Sequence, residues 1–288
     1  MNKNRFYLCQ FPALFLVASL WLAPSPAARA QTLYNAYLGT PPQSQGWSFI
    51  PEGTYYETVT DNSVLLDTTT TGVTEAGWGE ITASDLNHTN GFSLLFGAML
   101  NSETHTSTNR AGFSLIVLRD DTNGIELAFW TNEIFAQSDS PLFTQAESAS
   151  FTTTGSFVNY TLTMLATNYI LLANGAPILA GPVRNYTAFS GFPDPYSTPD
   201  FIFFGDDTTS GAASVQVRGM TLLLPPSLTM PAPGIVAWTG VSNQTYTVQA
   251  STNLKTWNTV GVAASSSSSF SFTNGSSASN QFFRVALP

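Results

Sequence analysis

The sequence predicts an all-β protein, a β-sandwich or jelly roll followed by a small second β-module. Three observations carry this. From Gln31 to about Leu224 helical periodicity is almost absent, while short apolar runs recur between Gly, Asn, Pro and Asp residues. The stretch Arg110–Gln137 (RAGFSLIVLRDDTNGIELAFWTNEIFAQ) sets two β-branched and aromatic runs around the tetrad Asp120-Asp121-Thr122-Asn123. That is a hairpin signal, because Asp, Asn and Gly accept turn geometry and the flanking runs suit a pleated surface. Third, the Pro-rich segment LPPSLTMPAP separates this region from a last block of short alternating runs.

Taken in order, Met1–Ala30 reads as a secretory signal and not as part of the fold. Lys3 and Arg5 precede the apolar run Phe11–Leu22, and Ala28-Arg29-Ala30 offers a small-x-small cleavage site. The apolar run is too short for a lasting membrane span, and no later run is long enough, so no transmembrane segment is expected in the mature chain. The one cysteine, Cys9, lies inside this segment. The mature chain then has no disulfide and no thiolate metal site, and its cores alone must hold it.

Residues 31–224 read as a sandwich or jelly roll, one domain with too many strands for an immunoglobulin unit. Strands are expected at Trp47–Phe49, Val64–Asp67, Gly77–Ile81, Phe92–Leu100, the central hairpin, Phe143–Thr154, Tyr160–Met164, Tyr169–Ala173, Phe201–Phe204 and Ser214–Leu224. Asn174-Gly175 is a strong hairpin turn leading into Ala176–Ala180. Between Pro182 and Pro199 lies a long loop rich in Pro and aromatic residues, and long ordered loops in compact domains often carry function. Residues 225–233 read as a Pro-rich linker and 234–288 as the small β-module, whose core is marginal at that length.

The hairpin can be read for register. If its loop is the four residues Asp120–Asn123, Arg119 faces Gly124, Leu118 meets Ile125, Ile116 meets Leu127 and Phe113 meets Trp130. Alternation then gathers Ile116, Leu118, Ile125, Leu127 and Phe129 on a core face. Phe113, Leu115, Val117 and Arg119 share the other face with Glu126, Ala128 and Trp130. The same register sets Arg110 opposite Glu133 as a structural ion pair. Glu126, with Arg119 as diagonal neighbour, reads either as a buried partnered carboxylate or as a ligand-contacting acid. On the second reading Glu126, Trp130 and Arg119 are the candidate ligand-binding residues. Sugar C–H faces pack on aromatic rings, while hydroxyls seek charged acceptors.

Charge narrows the partners. The full chain carries a formal charge of -9, every Asp and Glu lies between Glu52 and Asp207, and Lys and Arg are sparse throughout. Nucleic acid is excluded as a partner, because phosphate binding needs clustered cations. Divalent cations and neutral glycans remain.

Four stretches, GFSLLFGAML, the hairpin itself, NYTLTMLATNYILLANGAPILAGPVRNY and PYSTPDFIFFGDDTTSGAASVQV, resemble one group of bacterial secreted domains. These are the concanavalin A-like (LamG-like) domains of the "choice-of-anchor" type. The resemblance runs from about Thr32 to Leu224, and the hairpin and Gly205-Asp206-Asp207-Thr208 are its most specific parts. It implies a two-sheet jelly roll displayed outside the cell, followed by a variable C-terminal element, with no defined catalytic activity. At the other end, YTVQASTNLKTW followed by FFRV resembles a trimmed fibronectin type III-like module frequent in secreted bacterial proteins. There Trp257 would be the packing tryptophan.

Retaining glycosidases need two carboxylates about 5 Å apart, yet the positions sharing a face with Glu126 along its strand are Ala128 and Trp130. His88 and His105, the two histidines, sit in polar loop-like contexts and read as solvated. No G-x-S-x-G, H-E-x-x-H or P-loop pattern occurs. Asp206-Asp207 with Thr208, and Asp120-Asp121 with Asn123, are oxygen-rich clusters of the kind calcium takes as ligands. Neither has calcium-loop spacing, so turn chemistry is the competing reading. The reading that follows is a secreted or cell-surface, non-catalytic protein that recognises carbohydrate or another extracellular polymer. Its alternatives are a passive matrix protein without a ligand, and a glycan hydrolase or lyase.

Overall fold

A computed structural model of the chain describes residues 30–286 apart from 61, 71–74, 84–85, 192–193, 225–227, 233, 240–244, 268 and 276–280. The expected signal segment lies outside the described residues but for Ala30. The jelly-roll region supplies strands β1 (Ala30–Asn35), β2 (Ser48–Glu52), β3 (Tyr56–Val59), β4 (Val64–Asp67), β5 (Glu75–Ile81) and β6 (Phe92–His105). They are followed by β7 (Ser114–Leu118), β8 (Gly124–Phe129), β9 (Glu133–Asp139), β10 (Leu142–Ser150) and β11 (Val158–Leu165). Strands β12 (Asn168–Ala173), β13 (Ala176–Pro182), β14 (Phe201–Asp206) and β15 (Gly211–Leu223) complete it.

These strands make two antiparallel sheets. The first runs β13-β12-β11-β6-β15-β4-β3, with β1 also pairing β15, and the second runs β10-β9-β8-β7-β14-β5-β2. Between them lies one core, because alternation turns every second residue inward. Leu94, Phe96 and Ala98 of β6 and Tyr160 and Leu162 of β11 meet Leu115, Val117, Leu127, Phe129 and Phe204 from the second sheet. Each large apolar side chain buried there contributes roughly 1.5–3 kcal/mol. Asn174-Gly175 forms the expected two-residue turn: Ala173 pairs with Ala176, and both turn residues have positive φ (49° and 83°).

The central hairpin forms, but its register differs from the expected one by a residue. Leu118 pairs with Gly124, Ile116 with Glu126 and Ser114 with Ala128. The loop is the three residues Asp120–Thr122, closed by the Arg119 N–H donating to the Asn123 carbonyl at 2.9 Å. Thr122 takes the left-handed conformation (φ 62°), and Asp121 accepts hydrogen bonds from both the main chain and the side chain of Asn123. This is the three-residue solution for a hairpin, a turn followed by one left-handed residue. The slip exchanges faces on β7. Phe113, Leu115 and Val117 join Ile125, Leu127 and Phe129 in the core, while Ile116 and Leu118 lie outward in a separate cluster with Tyr186, Tyr196, Phe201 and Phe203.

Strand β15 carries a second irregularity. Val215 and Val217 point inward, then Met220 and Leu222 do. The parity changes because Arg218 is an extra residue: Val217 faces Ala98 and Gly219 faces Gly97, with no partner between.

The C-terminal residues form two three-stranded sheets. One is β16 (Thr229–Ala232), β17 (Ile235–Thr239) and β20 (Ser269–Thr273); the other is β19 (Asn258–Ala264), β18 (Thr245–Ser251) and β21 (Phe282–Ala286). Their shared core is Val236, Trp238, Tyr246, Val248 and Phe270. Two expectations are corrected here. Thr229–Ala232, read as linker, is an edge strand, a place that tolerates Pro231. The packing tryptophan is Trp238, whereas Trp257 is half-buried with the Arg284 guanidinium 4.5 Å from its ring centre.

Candidate functional site

The outward face of the second sheet is covered by the loop between β13 and β14. The loop is fixed first by its main chain: Arg184 and Gly124 exchange two backbone hydrogen bonds, each 2.8 Å. The Arg184 guanidinium binds Glu147, which also accepts the Tyr169 hydroxyl hydrogen at 2.7 Å. Tyr186 and Tyr196 then pack against the sheet, both buried, within the cluster around Ile116 and Phe203. Beside them opens a cavity of about 590 Å³.

Under this loop lies a buried charge cluster. Glu126, wholly buried, accepts from Arg110 at 3.1 Å and from the Tyr196 hydroxyl. Arg110 in turn donates to the Asp207 carboxylate at 2.8 Å and to its backbone carbonyl at 3.3 Å. Burial works against the Arg110 charge, but Asp207 and Glu126 outweigh it and push the guanidinium further up. Burial and then the Asp207 charge push the Glu126 carboxyl well above the usual range, although Arg110 and Tyr196 pull it back. Asp207 makes the shorter contact to the guanidinium and keeps some solvent contact. Pushed up in this way, the Glu126 carboxyl is the group of the cluster that favours its protonated form. Oδ1 of Asp207 is buried without a hydrogen-bond partner.

Two further acids border the cluster. Burial pushes the Asp206 carboxyl up to about 8, and the charges of Asp207 and Glu75 add to this against hydrogen bonds from Thr68 and Thr208. Glu75 is raised by burial, then by Asp207 and Glu52. Glu75, Asp194, Asp206 and Asp207 all line the cavity, with Arg110 as the single cation among the described lining residues. Its walls include Phe143 and Phe189, both half-buried, their rings 5.6 Å apart edge to face. The result is an aromatic slot with an acceptor-rich floor.

The sequence-derived candidates are distributed differently from expectation. Arg110 does not pair with Glu133. The chain turns at Trp130–Asn132, the Trp130 N–H donating to the Glu133 carbonyl, so Glu133 opens β9 and faces Ser150 instead. Arg119 is not the neighbour of Glu126: it binds Asp121 at 2.8 Å and the Ala166 carbonyl. Trp130 shares the outward side with Glu126 but does not line the cavity. Its ring stacks on His105 at 4.0 Å, and its Nε1 donates to the Arg110 carbonyl at 2.9 Å. Glu126 lies behind the cavity wall, reaching it only through Arg110 and Tyr196.

The acidic pairs serve as structural anchors. Asp120 accepts from Asn87 and from the His88 N–H, tying down the Leu86–Asn90 turn, and Asp121 holds its own hairpin. Asp206 accepts from the Thr68 hydroxyl at 2.6 Å, and Asp207 takes Arg110. Among the described residues no group of three or more His, Cys, Asp or Glu side chains is arranged to hold a metal ion. The half-buried Phe143 and Phe189 were missed as site residues; the aromatic density of the 182–199 loop was the signal that pointed to one of them.

No protein-family model matches the chain, and no curated protein matches it. Solved structures do. A carbohydrate esterase from the Shiga toxin-encoding bacteriophage phi24B is 11% identical with a TM-score of 0.46, the match covering 68% of this chain and 99% of that one. The exoplasmic/lumenal domain of VIP36 in its Ca2+/Man2-bound form is 11% identical (TM-score 0.43, 69% and 90% covered). A Bacillus subtilis protein of unknown function with a galectin-like fold is also 11% identical (TM-score 0.43, 68% and 98% covered). The two-sheet sandwich rests on the pairing and packing of the chain itself, and these comparisons add neither a ligand nor a reaction to it.

Proposed function

We propose that the chain is a secreted, non-catalytic carbohydrate-binding protein that takes a short neutral stretch of glycan in the cavity over the second sheet. The observation that carries this is the half-buried pair Phe143 and Phe189 over a floor of carboxyl and hydroxyl acceptors. Sugars present apolar C–H faces to rings and hydroxyl donors to carboxylates, and each half of the cavity matches one of these. The excess of acids over cations lining the cavity disfavours acidic polymers there. Secretion rests on the Met1–Ala30 segment, and mass spectrometry of exported material is expected to begin at Gln31; an intact Met1 would overturn that part.

The test is a neutral-glycan array probed with the wild-type chain and with Phe189→Ala and Asp194→Asn. Binding to at least one neutral glycan is expected, weakened about tenfold by Phe189→Ala with the melting temperature unchanged. No retention on any glycan, or equal retention by both variants, would overturn the reading and leave the passive matrix role. Release of reducing ends or unsaturated sugars during incubation would replace binding by hydrolysis or elimination.

A further inference from the structure

The outer face of the first sheet carries a second feature, apart from the cavity. A trough of about 600 Å³ runs over β1, β15, β6 and β11. Its floor is the glycine pair Gly97 and Gly219, which face each other across β6 and β15. Its sides are hydroxyl and amide groups: Asn159 and Thr161 from β11, Thr221 from β15, Thr32 from β1. Tyr37, 69% exposed, stands at one edge.

One charged residue lines this trough, and it is a cation. The bulge described above adds Arg218 to β15, so Arg218 and Gly219 both face outward between Val217 and Met220. Bulges re-aim side chains in this way and are retained where the aim matters. The guanidinium lies 3.6 Å from the Phe157 ring centre, which fixes its plane. Its Nε is buried without a hydrogen-bond partner, and among the described residues no carboxylate pairs with it or lines the trough. In a chain with a formal charge of -9, a half-buried arginine left without an anion is an unfilled demand. A guanidinium in that state suits a planar carboxylate through two parallel hydrogen bonds.

We propose that this trough binds an acidic polysaccharide, with Arg218 taking the carboxylate of a uronic acid residue. Tyr37 offers a ring for a neighbouring sugar face, and Asn159, Thr161 and Thr221 take hydroxyls. The glycine floor lets the chain lie close to the sheet. Gly97 matters to that: a Cβ there would stand 3.4 Å from Arg218 Cβ and 3.7 Å from Asn159 Oδ1, ordinary contacts, so a side chain would fit and fill the trough. An acidic peptide would meet the same cation, but among the described residues Leu95 is the one aliphatic side chain lining the trough to receive its apolar residues.

Affinity electrophoresis of the full chain in gels containing polygalacturonate tests this, with dextran and poly-L-glutamate gels beside it. Retardation by polygalacturonate alone is expected. Arg218→Gln and Gly97→Leu should each weaken it about tenfold or more, Arg218→Lys should retain part of it, and the cavity variant Phe189→Ala should leave it unchanged. Tyr37→Ala, at an exposed position, gives an independent loss without risk to the core. Absence of retardation, or equal retardation of Arg218→Gln and wild type, overturns the proposal. Equal retardation by poly-L-glutamate overturns the sugar assignment, and equal retardation by dextran overturns the role of the charge. A loss in Phe189→Ala with none in Arg218→Gln would move acidic polymers to the cavity.

Discussion

Asp206→Asn should stabilise the protein at neutral and alkaline pH while changing little at acidic pH. Asp206 is 1% exposed, and burial holds its proton up to about pH 8, against a usual value of 3.8. Between these values the folded chain binds a proton that the unfolded chain has lost. Stability is therefore full below the lower value and falls as pH rises towards the upper one, by up to ~1.4 kcal/mol per pH unit for this one group. An amide has no proton to lose, so the variant lacks that slope. The local bonding can absorb the change. Oγ1 of Thr68 donates to Asp206 at 2.6 Å but also has the Ala213 carbonyl at 3.3 Å as an alternative acceptor. When it turns there, the asparagine NH2 can donate to the Thr68 oxygen, and the asparagine oxygen still accepts from the Thr208 N–H. The assay is urea unfolding followed by tryptophan fluorescence, at pH steps from mildly acidic to mildly alkaline, for both proteins. The difference in unfolding free energy should widen as pH rises. Glu126 is raised in the same direction and cancels in the comparison, whereas Asp121 and Glu147 are lowered and act only towards acid pH. Parallel stability curves would refute the buried-proton argument.

Arg110→Met removes the one cation shared by Glu126 and Asp207, and thermal unfolding should show a loss of about 3–5 kcal/mol near neutral pH. Thr122→Gly relieves a threonine held at φ 62°, and denaturant titration should show a gain of about 1 kcal/mol. A loss there would mean that the threonine side chain supports the turn.

The strands were legible where period-two alternation and β-branched residues ran together, as in β6, β7, β8 and β14. Register was not, for a local reason. Asn123-Gly124 looks like the residue pair to take positive φ, yet Thr122 takes it, because the Asp121 carboxylate bonds to Asn123 and makes the shorter loop closed. A single residue of loop length then moved Ile116 and Leu118 outward and Leu115 and Val117 inward. The break at Trp130–Asn132 had a signal in its Thr-Asn pair, read over by extending the hairpin to Glu133. The partner of Arg110 across 97 residues, Asp207, depends on β14 lying beside β7, which no local pattern specifies. By contrast, the bulge at Arg218 was written in the chain. In VQVRGMTLL the apolar period slips by one at Arg218-Gly219, and a phase slip within one strand is what a bulge looks like in sequence.

Tyr186→Phe brings these threads to one atom. Strands β8 and β9 pair directly at Phe129 with Ile134, Ala128 with Phe135 and Leu127 with Ala136. The next position, Glu126 opposite Gln137, has no direct pairing. Instead the Tyr186 hydroxyl sits between the strands, accepting from the Glu126 N–H at 3.2 Å and donating to the Gln137 carbonyl at 2.7 Å. One side chain of the covering loop thus replaces a ladder bond, and it does so at the residue whose carboxyl lies behind the cavity. Phenylalanine would keep the ring packing against Phe143 and Tyr196 but strand a buried donor and a buried acceptor. Each stranded group costs about 1–3 kcal/mol, less whatever the two recover by closing directly. Hydrogen exchange separates those outcomes. A slow Glu126 amide with little change in stability would mean that β8 and β9 have zipped together and the hydroxyl was dispensable. Fast exchange at Glu126, together with weaker protection across the 182–199 loop, is the expected result, because the same hydroxyl holds both the strand gap and the cavity wall.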